Sequence, residues 1–148
     1  MAVLTKMVTL CETLSITVLV DGEGHAATIA ASDAFKGEAK KLKNRQDIET
    51  SLAKLGKLSE LGIDQIAGMK WWKHPMRYRA GLFEVRVNAL RHYGGILGEY
   101  EDKMLYVLLG SEEKQSGEAS PTILDRCEAE LAKLQRAFTN QMKKGAKK

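Results

Sequence analysis

The chain has 148 residues, 44% apolar and 28% charged, a balance that suits one globular domain over residues 1–148 with a real core. Its formal net charge of +4 and pI near 9.0 allow an anionic partner without demanding one. No apolar run approaches the roughly 18 residues of a membrane-spanning helix. No small-residue cleavage site follows the apolar start, so the expectation is no membrane, no signal peptide and a cytoplasmic protein.

Residues 1–14 carry no decisive pattern, and packing on a sheet, extending it or mediating dimerisation all stay open for them. Ile16-Thr17-Val18-Leu19-Val20 is β-branched and stops at Asp21-Gly22-Glu23-Gly24, which predicts a strand and a turn. Residues 25–31 pair back as a hairpin strand or begin a helix, and the glycine-rich turn favours the hairpin. Residues 33–61 read as helix, in one or two pieces divided near Gly37 and Asn44. Ile48, Leu52, Leu55, Leu58 and Leu61 make its apolar stripe, and Gly62 supplies the stop. Residues 62–80 are irregular and hold Trp71, Trp72 and Pro75. Three strands follow at about 82–88, 92–98 and 103–109, with connections short enough for antiparallel neighbours. Gly94 and Gly95 mark a bulge or close backbone approach in the middle strand. Residues 110–120 form a polar, mobile loop. Ser120 and Pro121 then open an amphipathic helix with Leu124, Cys127, Leu131, Leu134 and Phe138 on one face. Residues 141–148 are a flexible lysine-rich tail. The order of elements predicts an α+β domain: a small antiparallel sheet with N-terminal helices and the C-terminal amphipathic helix packed on it.

Cys11 and Cys127 match no metal spacing and read as idle thiols in a reducing compartment, with a disulfide between them left open. His25, His74 and His92 form no ligand pair, so neither metal nor other cofactor is expected. The charge is uneven along the chain. Lys70, Lys73, Arg77, Arg79, Arg86 and Arg91 are offset only by Glu84. Glu99, Glu101, Asp102, Glu112, Glu113 and Glu118 come later, against Lys103 and Lys114. If the basic span forms one face, it holds several phosphates in a salt-dependent way; otherwise it is a scatter of solvated side chains. Trp71-Trp72 either stacks bases or anchors its loop to the core.

The run Gly81-Leu82-Phe83-Glu84-Val85-Arg86-Val87, then His92-Tyr93, then the apolar strand ending at Leu109-Gly110, resembles the RelE/HigB toxin superfamily, in particular its phage-derived HigB-like branch. Lys114, the helix led by Pro121, the Asp21-Gly22 strand and the leucine-striped helix before Gly62 fit the same pattern, so the likeness spans about residues 15–138. It implies a toxin of a type II toxin–antitoxin module: a ribosome-dependent mRNA endonuclease, without cofactor, neutralised by a cognate antitoxin, often a helix-turn-helix protein. By this likeness Arg86 is the phosphate clamp and Tyr93 the family's aromatic residue. The chain departs from the pattern where Gly94 stands in place of an arginine, and where Ser111-Glu112-Glu113 replace basic residues.

The chemistry of RNA cleavage agrees with those residue types. The 2′-hydroxyl must lose a proton, the phosphorane must be stabilised and the leaving 5′-oxygen must gain a proton. Arg86 matches phosphate geometry with paired donors, and His92 titrates near neutral pH. The expected site is therefore Arg86, His92 and Tyr93 for catalysis, with Lys70, Lys73, Arg77, Arg79, Arg91 and Lys114 on the RNA. The structural alternatives are an ion pair for Arg86, an ordinary half-buried histidine and a core tyrosine. Glu84 reads as a residue on the strand face opposite Phe83 that serves solubility or pairing. Two other functions stay open: a degenerate module that binds RNA or protein without cutting, marked by Gly94 and Glu112-Glu113, and a small assembly protein.

Overall fold

The computed structural model of the protein describes residues 2–22, 25–77 and 79–146. An N-terminal helix α1 (Ala2–Thr13) leads into β1 (Thr17–Val20) and β2 (Ala27–Ala31). Helices α2 (Asp33–Ala39), α3 (Arg45–Leu61) and the short α4 (Ile63–Ile66) follow. Then come β3 (Trp72–Lys73), β4 (Leu82–Val87), β5 (Leu90–Tyr100), β6 (Lys103–Glu113) and the long α5 (Pro121–Ala146). The strands form one sheet in the order β1-β2-β6-β5-β4-β3, with helices against both faces, an α+β architecture.

The sheet is mixed rather than antiparallel, because β2 runs parallel to β6. Short connections enforce antiparallel pairing for β1–β2, β3–β4 and β4–β5–β6. Between β2 and β6 lie three helices and three strands, a connection long enough to return the chain in the same direction. Residues 27–31 are all buried, as expected for a strand covered on both faces.

Two apolar cores flank the sheet. On one face, Met7, Leu10, Cys11 and Leu14 of α1 and the predicted stripe of α5 pack on Tyr93, Leu97, Leu105, Val107 and Leu109. On the other, Phe35, Leu55, Leu58 and Ile66 pack on Ala27, Ile29, Phe83, Val85 and Leu108. Residues 1–14 thus belong to the first core where they are described. Cys11 and Cys127 are free and buried, and burial pushes both thiols up to about 11, which leaves them unreactive.

Local signals place most helix ends. Ser32 caps α2 by accepting from the Phe35 amide, and Asn44 caps α3 by accepting from Asp47, each worth ~1 kcal/mol. Gly62 ends α3 at φ 79, in the left-handed region. Three expectations change. In α3, Leu52 is 52% exposed, and the buried face is instead Asp47, Ser51, Leu55, Leu58 and Ser59. Strand β6 continues to Glu113, so the loop is shorter, at 114–120. Helix α5 runs on to Ala146, past the predicted tail boundary, while Lys147 and Lys148 lie outside the described residues, as do Glu23 and Gly24 of the predicted turn.

Beyond Leu108, β6 has lost its β2 neighbour, and side chains take over that edge. Glu38 accepts from the Ser111 amide, and Arg126 donates to the Leu109 carbonyl. The same two side chains form a paired contact, Nη1 to Oε2 at 3.0 Å and Nη2 to Oε1 at 2.8 Å, which ties α2 to α5. That contact raises the Arg126 pKa further above its ordinary value.

Candidate functional site

Register decides which polar side chains meet. Pairing sets Lys73 against Glu84 and Glu84 against Tyr93, and in the next row Arg86 against Arg91 and Arg91 against Glu112. Directly paired residues share a face, so both rows look towards the α5 side. The rows open into a cleft of about 270 Å³ between the β3–β5 end of the sheet, the start of α5 and the loop before it. Lys73, Arg77, Arg79, Arg86 and Arg91 line it, and only Glu84 and Glu118 oppose them. This volume lies near the lower end for small-molecule sites (~300 Å³), enough for a phosphate and its sugar.

The charged groups of the cleft are unequally partnered. Arg79 is held by Asp125 and Glu128 of α5, which raise its pKa, so it fixes the β3–β4 connection to the helix. Arg91 is buried, with 1% exposure; its Nη2 donates to the Gly117 carbonyl at 2.9 Å, but its Nε has no partner. Arg86 is half-buried and has no ion pair among the described residues. Glu84 is 5% exposed and likewise makes no hydrogen bond or ion pair among them. Arg91 and Glu84, a guanidinium and a carboxylate that line one cavity without pairing with each other, suit a ligand that carries both an anion and a donor. Like charges directly opposite on paired strands are destabilising, so Arg86 beside Arg91 is also an arrangement that an anion relieves.

Tyr93 lies in the same rows but is locked. Its hydroxyl donates to Glu112 Oε2 at 2.6 Å, and burial first, then this carboxylate, raises its pKa far above the ordinary phenol value. Glu112 also accepts from the amide (3.0 Å) and hydroxyl (2.6 Å) of Ser120, anchoring the start of α5. Burial alone would raise the Glu112 pKa, but these hydrogen bonds outweigh it and hold the carboxyl below its ordinary value. Glu113 accepts from the amides of Lys43 and Asn44. Both acidic residues therefore serve as backbone anchors and do not line the cleft.

His92 faces the other way, into the α3 core. Its Nδ1 lies 2.8 Å from Ser111 Oγ and its Nε2 3.1 Å from Ser51 Oγ, with Phe35 edge-on at 5.1 Å. Ser111 Oγ in turn donates to the Arg91 carbonyl and Ser51 Oγ to the Ile48 carbonyl, so both hydroxyls present an acceptor to the ring. Burial lowers its pKa to about 4, so the ring is neutral and closed off from the cleft. The structure thus brings Lys73, Arg77, Arg79, Arg86, Arg91 and Tyr93 to one region and leaves three expected residues outside. These are His92, the exposed Lys70, and Lys114, which lines a separate hollow beside Asn88. Trp72 is buried against Phe83 at 4.8 Å, and Trp71 lies under Lys54, so the tryptophan pair anchors its loop.

Gly94 does not leave a gap in the cleft. A Cβ there would lie 2.4 Å from the Val107 carbonyl oxygen and 2.6 Å from the Phe83 ring, so no side chain fits. Sequence reasoning missed Glu84 as a lining residue. Its signal was strand parity, since residue 84 shares a face with residue 86.

No protein-family model matches this chain, and no curated protein is similar to it. Among solved structures, the RelBE2 toxin–antitoxin complex from Mycobacterium tuberculosis is similar at 18% identity and a TM-score of 0.39, over 60% of this chain and 99% of that chain. A likeness of that degree decides nothing about function.

Proposed function

We propose that the cleft grips RNA by its phosphates, and that the protein is a RelE-type toxin of the HigB-like branch which cuts messenger RNA on the ribosome and is held in check by an antitoxin. The observation that carries this reading is the cross-strand pair Arg86–Arg91, open to one cavity beside the unpartnered carboxylate of Glu84. In it, the 2′-hydroxyl attacks phosphorus as Glu84 takes its proton. The phosphorane charge falls on the two guanidinium groups. The 5′-oxygen leaves with a proton from Lys73, giving a 2′,3′-cyclic phosphate and a 5′-hydroxyl end. Tyr93 and Glu112 position the wall of the cleft. With few phosphates engaged, affinity falls with salt at a log–log slope of about −0.7 per contact.

A second reading, RNA binding without scission, is favoured by the closure of His92 in the core and the locking of Tyr93. One experiment separates the two. A defined message is translated in a cell-free reaction with and without purified protein, and new ends are mapped by primer extension beside Arg86→Ala. Ends only on translated message, absent in the variant, support the ribosome-dependent nuclease. Ends on naked RNA mean a free ribonuclease. RNA binding without new ends leaves the binding module.

A further inference from the structure

Arg91 on β5 stands directly opposite Glu112 on β6. A guanidinium and a carboxylate so placed on paired strands would ordinarily pair. Among the described residues these two make no ion pair, because other donors take the carboxylate. Its Oε2 accepts from the Tyr93 hydroxyl at 2.6 Å and the Ser120 amide at 3.0 Å, and its Oε1 accepts from the Ser120 hydroxyl at 2.6 Å. Arg91 therefore keeps its charge for a ligand, and its Nη2 donates instead to the Gly117 carbonyl at 2.9 Å.

Gly117 and Ser120 belong to one strap, residues 114–120, which joins β6 to α5. Ala119 is its one apolar side chain apart from the glycine, so burial does little to hold it. Hydrogen bonds hold its two ends. The Lys114 amide donates to the Ala89 carbonyl at 2.7 Å, and Ser120 is fastened to Glu112. The Ser120 carbonyl also accepts from the Leu124 amide, so the same fastening fixes the first turn of α5. Between the ends, Gly117 turns the strap at φ 86, a conformation glycine adopts without strain. Gly117, Glu118 and Ala119 thereby line the cleft beside Arg91.

We infer that Glu112 is a positioning residue for Arg91: by holding Ser120 it fixes the strap, whose Gly117 carbonyl sets the guanidinium in place before an RNA phosphate arrives. The inference rests on the RNA reading above. A long side chain that is already ordered loses less freedom when it grips a ligand, and affinity rises accordingly. The negative charge of Glu112, by itself, would only repel RNA. Positioning and charge thus act on affinity in opposite directions, which makes them separable.

The test uses the full chain and fluorescein-labelled hexauridine, with fluorescence anisotropy as the readout. Glu112→Gln removes the charge, yet its amide can still accept from Tyr93 and the Ser120 amide and donate to the Ser120 hydroxyl. It should bind at least as tightly as the wild type. Glu112→Ala removes the same charge but frees the strap, and should bind about fivefold more weakly, the ordering cost of one long side chain. Ser120→Ala, which keeps the amide contact, should fall between the two. In an Arg91→Ala background neither alanine variant should weaken binding further, as expected of residues that act as a unit. Melting curves check folding, and if Glu112→Ala does not fold, Ser120→Ala carries the same comparison in both backgrounds. Alanine variants that bind as tightly as Glu112→Gln, or a loss that persists without Arg91, would overturn the assignment while leaving the cleft reading standing. No binding by the wild type would remove the RNA reading and this inference with it.

Discussion

Arg91, His92 and Tyr93 are consecutive, all buried, and all polar, yet strand alternation sends them to different fates. On one face, His92 has a serine on each ring nitrogen and no route to solvent. On the other, Arg91 lies in a cleft with its Nε unpartnered, and Tyr93 beside it is locked by Glu112. The difference teaches that burial of a polar group does not mark a site. What marks it is burial with hydrogen-bonding capacity left over towards a cavity.

Four experiments break or sharpen that contrast. The largest effect belongs to Arg91→Ala, which should lower message cutting by about a hundredfold to a thousandfold, as removal of a donor to a developing oxyanion does. The readout is the yield of new ends, and retained cutting would detach the cleft from the chemistry. Next is pH. Unfolded His92 gains its proton near 6.5, whereas the folded ring stays neutral down to about 4. The unfolded state therefore binds the extra proton in that window, and stability falls by ~3 kcal/mol as pH drops from 7 to 4, with no further loss from this group below it. Urea titrations across that range measure it, and a flat profile would contradict a closed histidine.

His92→Leu should cost about 2 kcal/mol, because two buried serine oxygens, whose protons go to backbone carbonyls, lose their ring contacts. It should also flatten the acid-side fall while cutting persists in the folded fraction. Parallel melting curves and end mapping check it, and lost cutting in a folded variant would return His92 to the mechanism. The smallest effect is expected of Lys70→Ala. An exposed lysine outside the cleft should change RNA affinity less than about twofold, against a clear loss for Lys73→Ala, with salt slopes as the measure.

The periodicity of α5, the division of the helical stretch near Asn44, the stop at Gly62 and the three consecutive strands were readable from residue order, because each is set by interactions a few residues apart. So was the concentration of positive charge over residues 70–91. The exposed Leu52 shows where the pattern misleads. Ser51 takes the inward position because His92, 41 residues away, needs its hydroxyl, and no hydropathy period carries that information. The parallel pairing of β2 with β6 and the anchoring of α5 by Glu112 are equally non-local.

By itself, then, the sequence determined most elements (α1, α4 and β3 excepted), the α+β class and the arginine-bearing strands, all products of local spacing and alternation. Only the tertiary structure decided that Arg86 and Arg91 stand opposite one another, that Glu84 joins them, and that His92 turns away. Those outcomes depend on register between strands, and a shift of one residue in register would exchange the two faces.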